Sequence, residues 1–511
     1  MEICFTGVPK NKFVEINYPV FQNVIKFFEV SFLKVMPMGR IIMPNEIIRE
    51  HYNKFTAERE KWLNRNRYYY KSKERFYQFL IPRSKRVLVI GCETGDLLAS
   101  LKPSYGVGID ISEKMIDIAR QKHKDYKFYT MDAQEKLPDE KFDYVVICGM
   151  VGELEDVQTF FNTLKTAGDE FTCYILDHYN ALWEPLLKFG EAIKLRMPTP
   201  FQNWLQIDQI SNLLDLCGFD ILKTYRCFLF PFYIPVLSFF INSILINVPF
   251  LNRLSLLRYV VAKKVCTETH NYGISVVIPC RNEESNIKHV AERIPDMGRH
   301  VEIIFVDNGS TDHTADEIKK TIKDNPNRDI KLYVQPKIGK KNALIEGFDR
   351  AQQEVLMILD ADLTVMPGDL EKFFNVINCG KAEFVNGSRM VYPQERQSMR
   401  YLNIIGNYIF GRIFSWVLKF SLTDTLCGTK GFLKKYWPEI KENEITSRGS
   451  LDKWGDFDLL FAAASFNLKM AEIPVRYKRR VYERSKMQHF RHGFKLLIMT
   501  FIAIKRFRIN C

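Results

Sequence analysis

From Lys85 the chain alternates short runs of aliphatic and β-branched residues with stretches of helical periodicity. That rhythm predicts parallel strands joined by helices. Strands are expected at residues 86–91, 105–110, 127–132, 142–149 and 172–177. Ser112 is placed to cap a helix running through Ala119, with Met115, Ile118 and Ala119 on its inner face. The rhythm lapses after about Asp220 and resumes at 274–279, 301–308, 331–336 and 354–362. No internal repeat relates the two runs, and their turn punctuation differs. The expected fold class is α/β, with two separate doubly wound domains in one chain.

Between the runs the pattern changes character. Residues 227–252 are 26 consecutive positions without a charge, flanked by Arg226 and Arg253. A stretch of that length can cross a bilayer. However, Pro231, Pro235 and Pro249 interrupt a helix, and Asn242 and Asn247 are costly in lipid. A crossing would also put the flanking domains on opposite sides of a membrane. An interfacial segment or a buried packing element is therefore expected rather than a full span. The expected divisions are an extension over 1–45, a first domain over 46–225 and an apolar linker over 226–270. A second domain over 271–490 and a basic amphipathic tail over 491–511 complete the chain.

Composition narrows the class. A chain of 511 residues, 46% hydrophobic and 26% charged, is not a disordered polymer, a collagen-like fibre or a small disulfide module. The 11 cysteines form no CxxC or CxxxC pair, so no zinc spacing is read and a reducing compartment is expected. The net charge of +13 suits nucleic acid, an anionic membrane or a phosphorylated substrate. Over 476–511, eleven lysines and arginines face Glu483 alone. The excess thus belongs to a basic tail around the uncharged stretch 496–504, which favours a membrane surface over nucleic acid.

Chemistry concentrates at the carboxyl ends of the expected strands. In the first domain Gly91-Cys92-Glu93-Thr94-Gly95 forms the first strand-to-helix turn, where glycines allow a close ligand approach. Asp110 ends the second strand, suited to the two hydroxyls of a ribose, and Asp132-Ala133 ends the third, suited to an adenine edge. Glu153, Asp177, His178 and Tyr179 are candidates around a reacting group. In the second domain Asp307 ends a strand, and Asp360-Ala361-Asp362 directly follows the apolar run 355–359. Two carboxylates spaced in this way suit Mg²⁺ or Mn²⁺ bridging a diphosphate.

At GIDIS (108–112), MDA (131–133) and FDYVV (142–146) the first half resembles the class I S-adenosylmethionine-dependent methyltransferases. The resemblance covers about 46–264, and NAD fits it poorly. It implies that Gly91 and Gly95 line the methionine moiety, with Asp110 at the ribose and Asp132 and Ala133 at the adenine. Two positions depart from the family: Val89 stands where an acidic residue is usual, and Glu93 where a third glycine is.

From about Gly273 onward the chain resembles family-two inverting glycosyltransferases of GT-A fold, and among them the dolichyl- or polyprenyl-phosphate sugar transferases. The likeness rests on GKKNALIEGF (339–348), DAD, NGSR (386–389), DTLCGTKGF (424–432) and GDFDLL (455–460). It implies that Pro279, Glu283 and Asp307 hold the nucleoside of a nucleotide-sugar donor. Asp360 and Asp362 would hold the metal-diphosphate, and Lys340 and Arg389 would neutralise phosphate charge. Glu483 and Arg484 depart from the family pattern beside Lys486. A polyprenyl-phosphate acceptor needs only alignment, whereas a sugar hydroxyl needs a base, for which Asp456 or Asp458 is the candidate. Both could instead simply favour a helix start. In that family the stretch corresponding to 401–420 faces the lipid.

The resulting expectation is a cytoplasmic enzyme held peripherally at the inner face of a membrane. It would transfer a sugar and carry a fused methyltransferase of unknown acceptor, without binding nucleic acid. Two alternatives stand beside it: an active glycosyltransferase whose first domain is a cofactor-binding scaffold, and a nucleic-acid-binding methyltransferase.

Overall fold

Strand β1 (Arg86–Ile90) is buried at every position but its first, because a parallel strand covered by helices on both faces needs a continuous apolar run. The computed structural model describes residues 45–200, 202–335, 338–392, 401–445, 455–478 and 489–509. Around β1 the first sheet assembles β2 (Tyr105–Asp110), β3 (Lys127–Thr130), β4 (Tyr144–Ile147), β5 (Cys173–Tyr179), β6 (Phe219–Cys227) and β7 (Leu257–Lys264). Their order is β3-β2-β1-β4-β5-β7-β6. The strands from β3 to β5 are parallel, and β7 runs antiparallel to both of its neighbours.

Three helices precede this sheet: α1 (Asn45–Phe55), α2 (Arg59–Arg65) and α3 (Arg67–Leu80). Helix α4 (Glu113–Lys122) follows β2 and is capped as expected, Ser112 Oγ accepting from Met115 N. Met115 and Ala119 face inward as expected, while Ile116 is buried in place of Ile118, which is only half-buried.

The second sheet contains β8 (Ile274–Cys280), β9 (Val301–Asp307), β10 (Asp329–Val334), β11 (Val355–Ile358), β12 (Phe384–Ser388), β13 (Lys430–Leu433) and β14 (Met470–Pro474). The order is β10-β9-β8-β11-β13-β12-β14, with β13 alone reversed. Both sheets are thus mixed rather than purely parallel. The helices that matter here are α5 (Glu184–Ala192) in the first half and α6 (Lys340–Arg350), α7 (Tyr401–Leu418), α8 (Asp456–Ser465) and α9 (His489–Ile504) in the second.

The linker expected over 226–270 contains strand at 226–227 and again at 257–264. β6 ends at Cys227, and β7 returns between β5 and β6, so the first domain extends through Lys264. Only 228–256 leaves the sheet, as short helical turns. Among the described residues no helix is long and apolar enough to cross a membrane. Nor is the excursion buried: Phe232, Tyr233, Val236, Phe239 and Phe250 are exposed.

Both sheets lie in one compact unit, Asn45–Cys511. Buried polar contacts join the halves. Lys263 Nζ lies 2.6 Å from Glu383 Oε2, and Lys223 Nζ donates to Asn467 Oδ1 at 3.0 Å. Asn467 Nδ2 in turn donates to the Leu80 carbonyl at 2.9 Å.

Candidate functional sites

In the first sheet the β1 and β2 ends converge through one carboxylate. Asp110 Oδ2 accepts from Glu93 N at 2.9 Å, and Asp110 Oδ1 accepts from Ser112 N at 2.9 Å. Burial lifts its pKa to about 6, with the two backbone donors working against that rise. Gly91 and Gly95 hold φ values of +71° and +81°, so the turn needs their freedom. Glu93 adopts φ +48°, and its carboxylate is paired with the buried Arg59 of α2. Asp132 Oδ1 accepts from Gln134 N at 2.9 Å, its other oxygen is bonded by the Asn45 amide, and Ala133 is buried. These residues suit a nucleoside: Asp110 keeps lone pairs on both oxygens, and a glycine turn stands beside it. Val89 is fully buried within β1, which leaves no carboxylate at that position.

A second group faces the ends of β4 and β5. Asp177 Oδ2 lies 2.8 Å from Lys73 Nζ, while Oδ1 accepts from Gly149 N at 3.1 Å and from the Tyr77 hydroxyl. Tyr69 and Tyr179 share a hydrogen bond of 3.1 Å, and Arg196 lies over the Tyr179 ring. Glu153 accepts from Tyr52 OH at 2.6 and 2.8 Å, and burial pushes its carboxyl up to about 8. His178 belongs elsewhere. Neighbouring residues of a strand point to opposite faces, and its ring is buried without a hydrogen-bond partner among the described residues. Burial, aided by Arg258, lowers its pKa to about 4. Tyr52, Arg59, Tyr69 and Lys73 all come from the helices before β1 and were not anticipated; the clustered tyrosines 68–70 with Lys73 and Tyr77 at helical spacing were the available signal.

In the second sheet the register sets Pro279 opposite Val306 and Cys280 opposite Asp307, so β8 and β9 end side by side. Asp307 Oδ1 accepts from Ser310 N and Oγ at 3.2 and 2.5 Å. Glu283 Oε2 accepts from Asn286 Nδ2 at 2.8 Å, which orients that carboxylate. Asp360 follows β11, and its Oδ1 lies 2.7 Å from Lys340 Nζ at the start of α6. Lys340 Nζ is also 3.9 Å from Asp456 Oδ2. Although burial opposes its charge, Asp360 and Asp456 hold the lysine pKa above its ordinary value. Asp362 Oδ1 is fixed by Thr364 N and Oγ1 at 3.1 and 2.7 Å. At Gly428 a Cβ would stand 2.3 Å from Asp360 Oδ2 and 2.9 Å from Lys340 Nζ, so bare backbone closes this centre. The oxygen donors of Asp360 and Asp362 fit a hard divalent ion.

The two aspartates of α8 separate. Asp456 faces Lys340 and lies 3.9 Å from the buried Lys430 ammonium, whereas buried Asp458 pairs with Lys341 at 2.8 Å. Arg389 is engaged by Asp424 in a two-pronged pair, Nε–Oδ2 2.7 Å and Nη2–Oδ1 2.9 Å. Arg389 overcomes the burial of Asp424 and brings its pKa to about 2. Much of the guanidinium's hydrogen-bonding capacity is therefore directed at Asp424 rather than toward a phosphate. Gly428 and Lys430 were missed as individual residues; they lie inside the DTLCGTKGF motif. Glu483, Arg484 and Lys486 lie outside the described residues.

Residues 275–437 match the family model "Glycosyl transferase family 2", and residues 87–168 match "Methyltransferase domain". Among curated relatives, a polyprenol monophosphomannose synthase of Mycolicibacterium smegmatis is 25% identical over 218 residues, 42% of this chain and 80% of that protein. An undecaprenyl-phosphate 4-deoxy-4-formamido-L-arabinose transferase of Edwardsiella ictaluri is 26% identical over 217 residues, again 42% of this chain but only 62% of that protein. Among solved structures, an S-adenosylmethionine-dependent methyltransferase from Mesorhizobium loti aligns at 19% identity and TM-score 0.29, covering 36% of this chain and 94% of that one.

Proposed function

We propose that this chain, which joins a methyltransferase domain to a family-two glycosyltransferase domain, transfers a sugar with inversion from a nucleotide-sugar to a polyprenyl phosphate at a membrane surface. The observation that carries the reading is the centre built by Asp360, Lys340, Asp456 and Gly428 at the β11 terminus. A divalent cation held by Asp360 and Asp362 would offset the charge of the donor diphosphate. Pro279, Glu283 and Asp307 would seat the nucleoside where β8 and β9 end. Lys340 would sit against the phosphates, held protonated by its two aspartates. A phosphate acceptor is already an anion and needs alignment rather than proton removal, so no dedicated base is required.

The lipid acceptor is favoured by the surface beside this domain. Ile405, Tyr408, Ile409 and Trp416 of α7 are exposed, as are Leu497, Ile498 and Phe501 of α9. The turn Phe240–Ile244 of the first domain's excursion packs against Lys505–Ile509, and Arg508 lies over the Trp416 ring at 4.5 Å. Apolar side chains of both domains thus adjoin one basic element, a combination suited to an anionic leaflet.

In the first domain S-adenosylmethionine would supply an electrophilic methyl group. Asp110 would take its ribose hydroxyls, Asp132 and Ala133 its adenine, and Gly91 and Gly95 its methionine end. Glu153, its carboxyl pushed up to about 8 by burial, would in its ionised form accept the proton of a methyl acceptor lying near Asp177 and Tyr179. A second reading, in which this domain only binds cofactor or serves as a scaffold, is favoured by the Arg59–Glu93 pair set within the glycine turn.

The deciding experiment incubates the full chain with radiolabelled nucleotide-sugars, Mg²⁺ and a polyprenyl phosphate in vesicles, and follows label into organic-extractable lipid. Label that stays aqueous for every donor, or transfer undiminished in Asp362→Asn, would sink the transferase reading. Calorimetry with S-adenosylmethionine separates a first domain that binds cofactor, active or not, from a pure scaffold.

A further inference from the structure

The segment joining the two sheets carries a cluster that neither candidate site uses. Cys266 and His270, four positions apart in that connector, meet Glu170 from the loop before β5. His270 Nε2 lies 3.1 Å from Glu170 Oε2 and 3.7 Å from Cys266 Sγ, and Sγ lies 2.9 Å from the same carboxylate oxygen. All three donor atoms fall within 4.8 Å of one another.

We propose that Glu170, Cys266 and His270 bind a zinc-class divalent ion that staples the connector to the first domain. With bonds of about 2.3 Å to sulfur and about 2.0–2.1 Å to nitrogen and oxygen, tetrahedral donors sit about 3.3–3.6 Å apart. Two of the three observed separations are within a few tenths of an ångström of that. The third, from sulfur to oxygen, is that of a thiol donating to a carboxylate, and it opens when the proton leaves and the metal takes its place. One thiolate, one carboxylate and one neutral imidazole balance a 2+ charge. A mixed sulfur, nitrogen and oxygen set favours Zn²⁺ over the Mg²⁺ that suits Asp360 and Asp362.

The surroundings hold the donors in place from the second domain. The His270 backbone N–H donates to the Asn378 carbonyl at 2.8 Å, and its ring stacks on Tyr272 at 4.6 Å. At Gly380 a Cβ would stand 2.5 Å from Cys266 Sγ, so only bare backbone can close over the sulfur. Glu170, Cys266, His270, Gly380 and Lys469 line one small cavity, which leaves a place for a fourth, water ligand. The Lys469 ammonium is already matched by Asp220 at 2.8 Å. Cysteines compared only with one another show no metal spacing; Cys266 compared with His270 does.

The test titrates the chelator-stripped full chain with Co²⁺ in excess Mg²⁺, which occupies the all-oxygen site. The expected result is a thiolate-to-cobalt charge-transfer band that saturates at about one equivalent and is displaced by Zn²⁺. Cys266→Ser should abolish the band, and Glu170→Gln and His270→Ala should weaken cobalt binding by roughly tenfold or more, with circular dichroism unchanged. No band in the unmodified chain, or a band that survives Cys266→Ser, overturns the proposal. Unchanged cobalt affinity in folded Glu170→Gln does so as well, and that variant keeps the side chain's size should Cys266→Ser fail to fold.

Discussion

Lys263 and Glu383 form an ion pair of 2.6 Å that is buried on both sides and spans the two domains. Glu383 is further bonded by Lys469 N at 2.8 Å and by the Tyr436 hydroxyl, so its charge is satisfied from three directions. Removing one partner strands the other. Lys263→Met should destabilise the chain by about 3–5 kcal/mol, toward the lower end because two donors remain on the carboxylate. Urea unfolding of the single variant and of Lys263→Met/Glu383→Gln measures it, and the double variant should recover part of the loss. An additive loss would mean the pair is not coupled.

Gly428 makes a sharper prediction about the transferase centre. A single methyl there would meet Asp360 Oδ2 at 2.3 Å, whereas a Cβ at Gly406 in α7 meets nothing within 4 Å among the described residues. Gly428→Ala should lower sugar transfer by roughly two orders of magnitude, the scale of an ångström-level misplacement. Gly406→Ala should leave it within a factor of about two and gain slightly in helix stability. Steady-state rates for both variants, beside their melting temperatures, make the comparison.

Asp456 and Asp458 should fail in different ways. Asp456 shares Lys340 with Asp360, so Asp456→Asn should depress transfer with little change in melting temperature. Asp458 is buried and pairs with Lys341, so Asp458→Asn removes one half of a buried ion pair and should lower stability first. Equal effects of the two variants on both rate and melting would refute this division.

Much of each site was readable because it lies where a buried strand ends. Asp110, Asp307 and Asp360 each follow an apolar run covered on both faces, a pattern that length and hydropathy reveal. β13 and β14 were not readable. One holds only four residues and buries Lys430, and the other is half-buried throughout and carries Glu472, so neither shows strand alternation or an apolar run. β7 looked like linker because only the four residues 253–256 separate it from the uncharged excursion. The partners of Glu93, Glu153 and Asp177 were hidden for another reason. Arg59, Tyr52 and Lys73 lie far away in sequence, and helical periodicity says which face a residue takes but not which strand end it meets.

The exposed apolar residues predict membrane binding that can be dismantled. Phe232 and Phe250 from the first domain and Phe501 from α9 are all more than half exposed. Burying a phenylalanine in the interface is worth about 1.5 kcal/mol or more, so each change to serine should weaken vesicle binding by about tenfold. Sedimentation with vesicles containing anionic lipid is the measurement. Binding should also fall with added salt, because the adjoining exposed Lys505 acts through screened charge. If the unmodified chain ignores both neutral and anionic vesicles, the surface serves some other contact.

In the proposed methyltransferase, Glu153 would connect fold stability to methyl transfer through one proton. Its pKa of about 8 lies well above the ordinary glutamate value, chiefly because the carboxyl is enclosed, while Tyr52 partly counters that by bonding the ionised form. At pH 6 the folded chain holds this proton and the unfolded chain has lost it. The unfolded state therefore binds fewer protons, and stability falls as pH rises. The contribution is complete below about pH 4.3, the unfolded value, and is lost progressively up to about pH 8. Glu153→Gln, which stays neutral, should flatten that decline in unfolding measurements from pH 5 to 8. Catalysis should run the opposite way, since only the ionised carboxylate accepts a proton. Methyl transfer should rise with an apparent pKa near 8, and Glu153→Gln should remove both the rise and most of the rate. A rate that keeps its pH profile in that variant would assign the proton to another group.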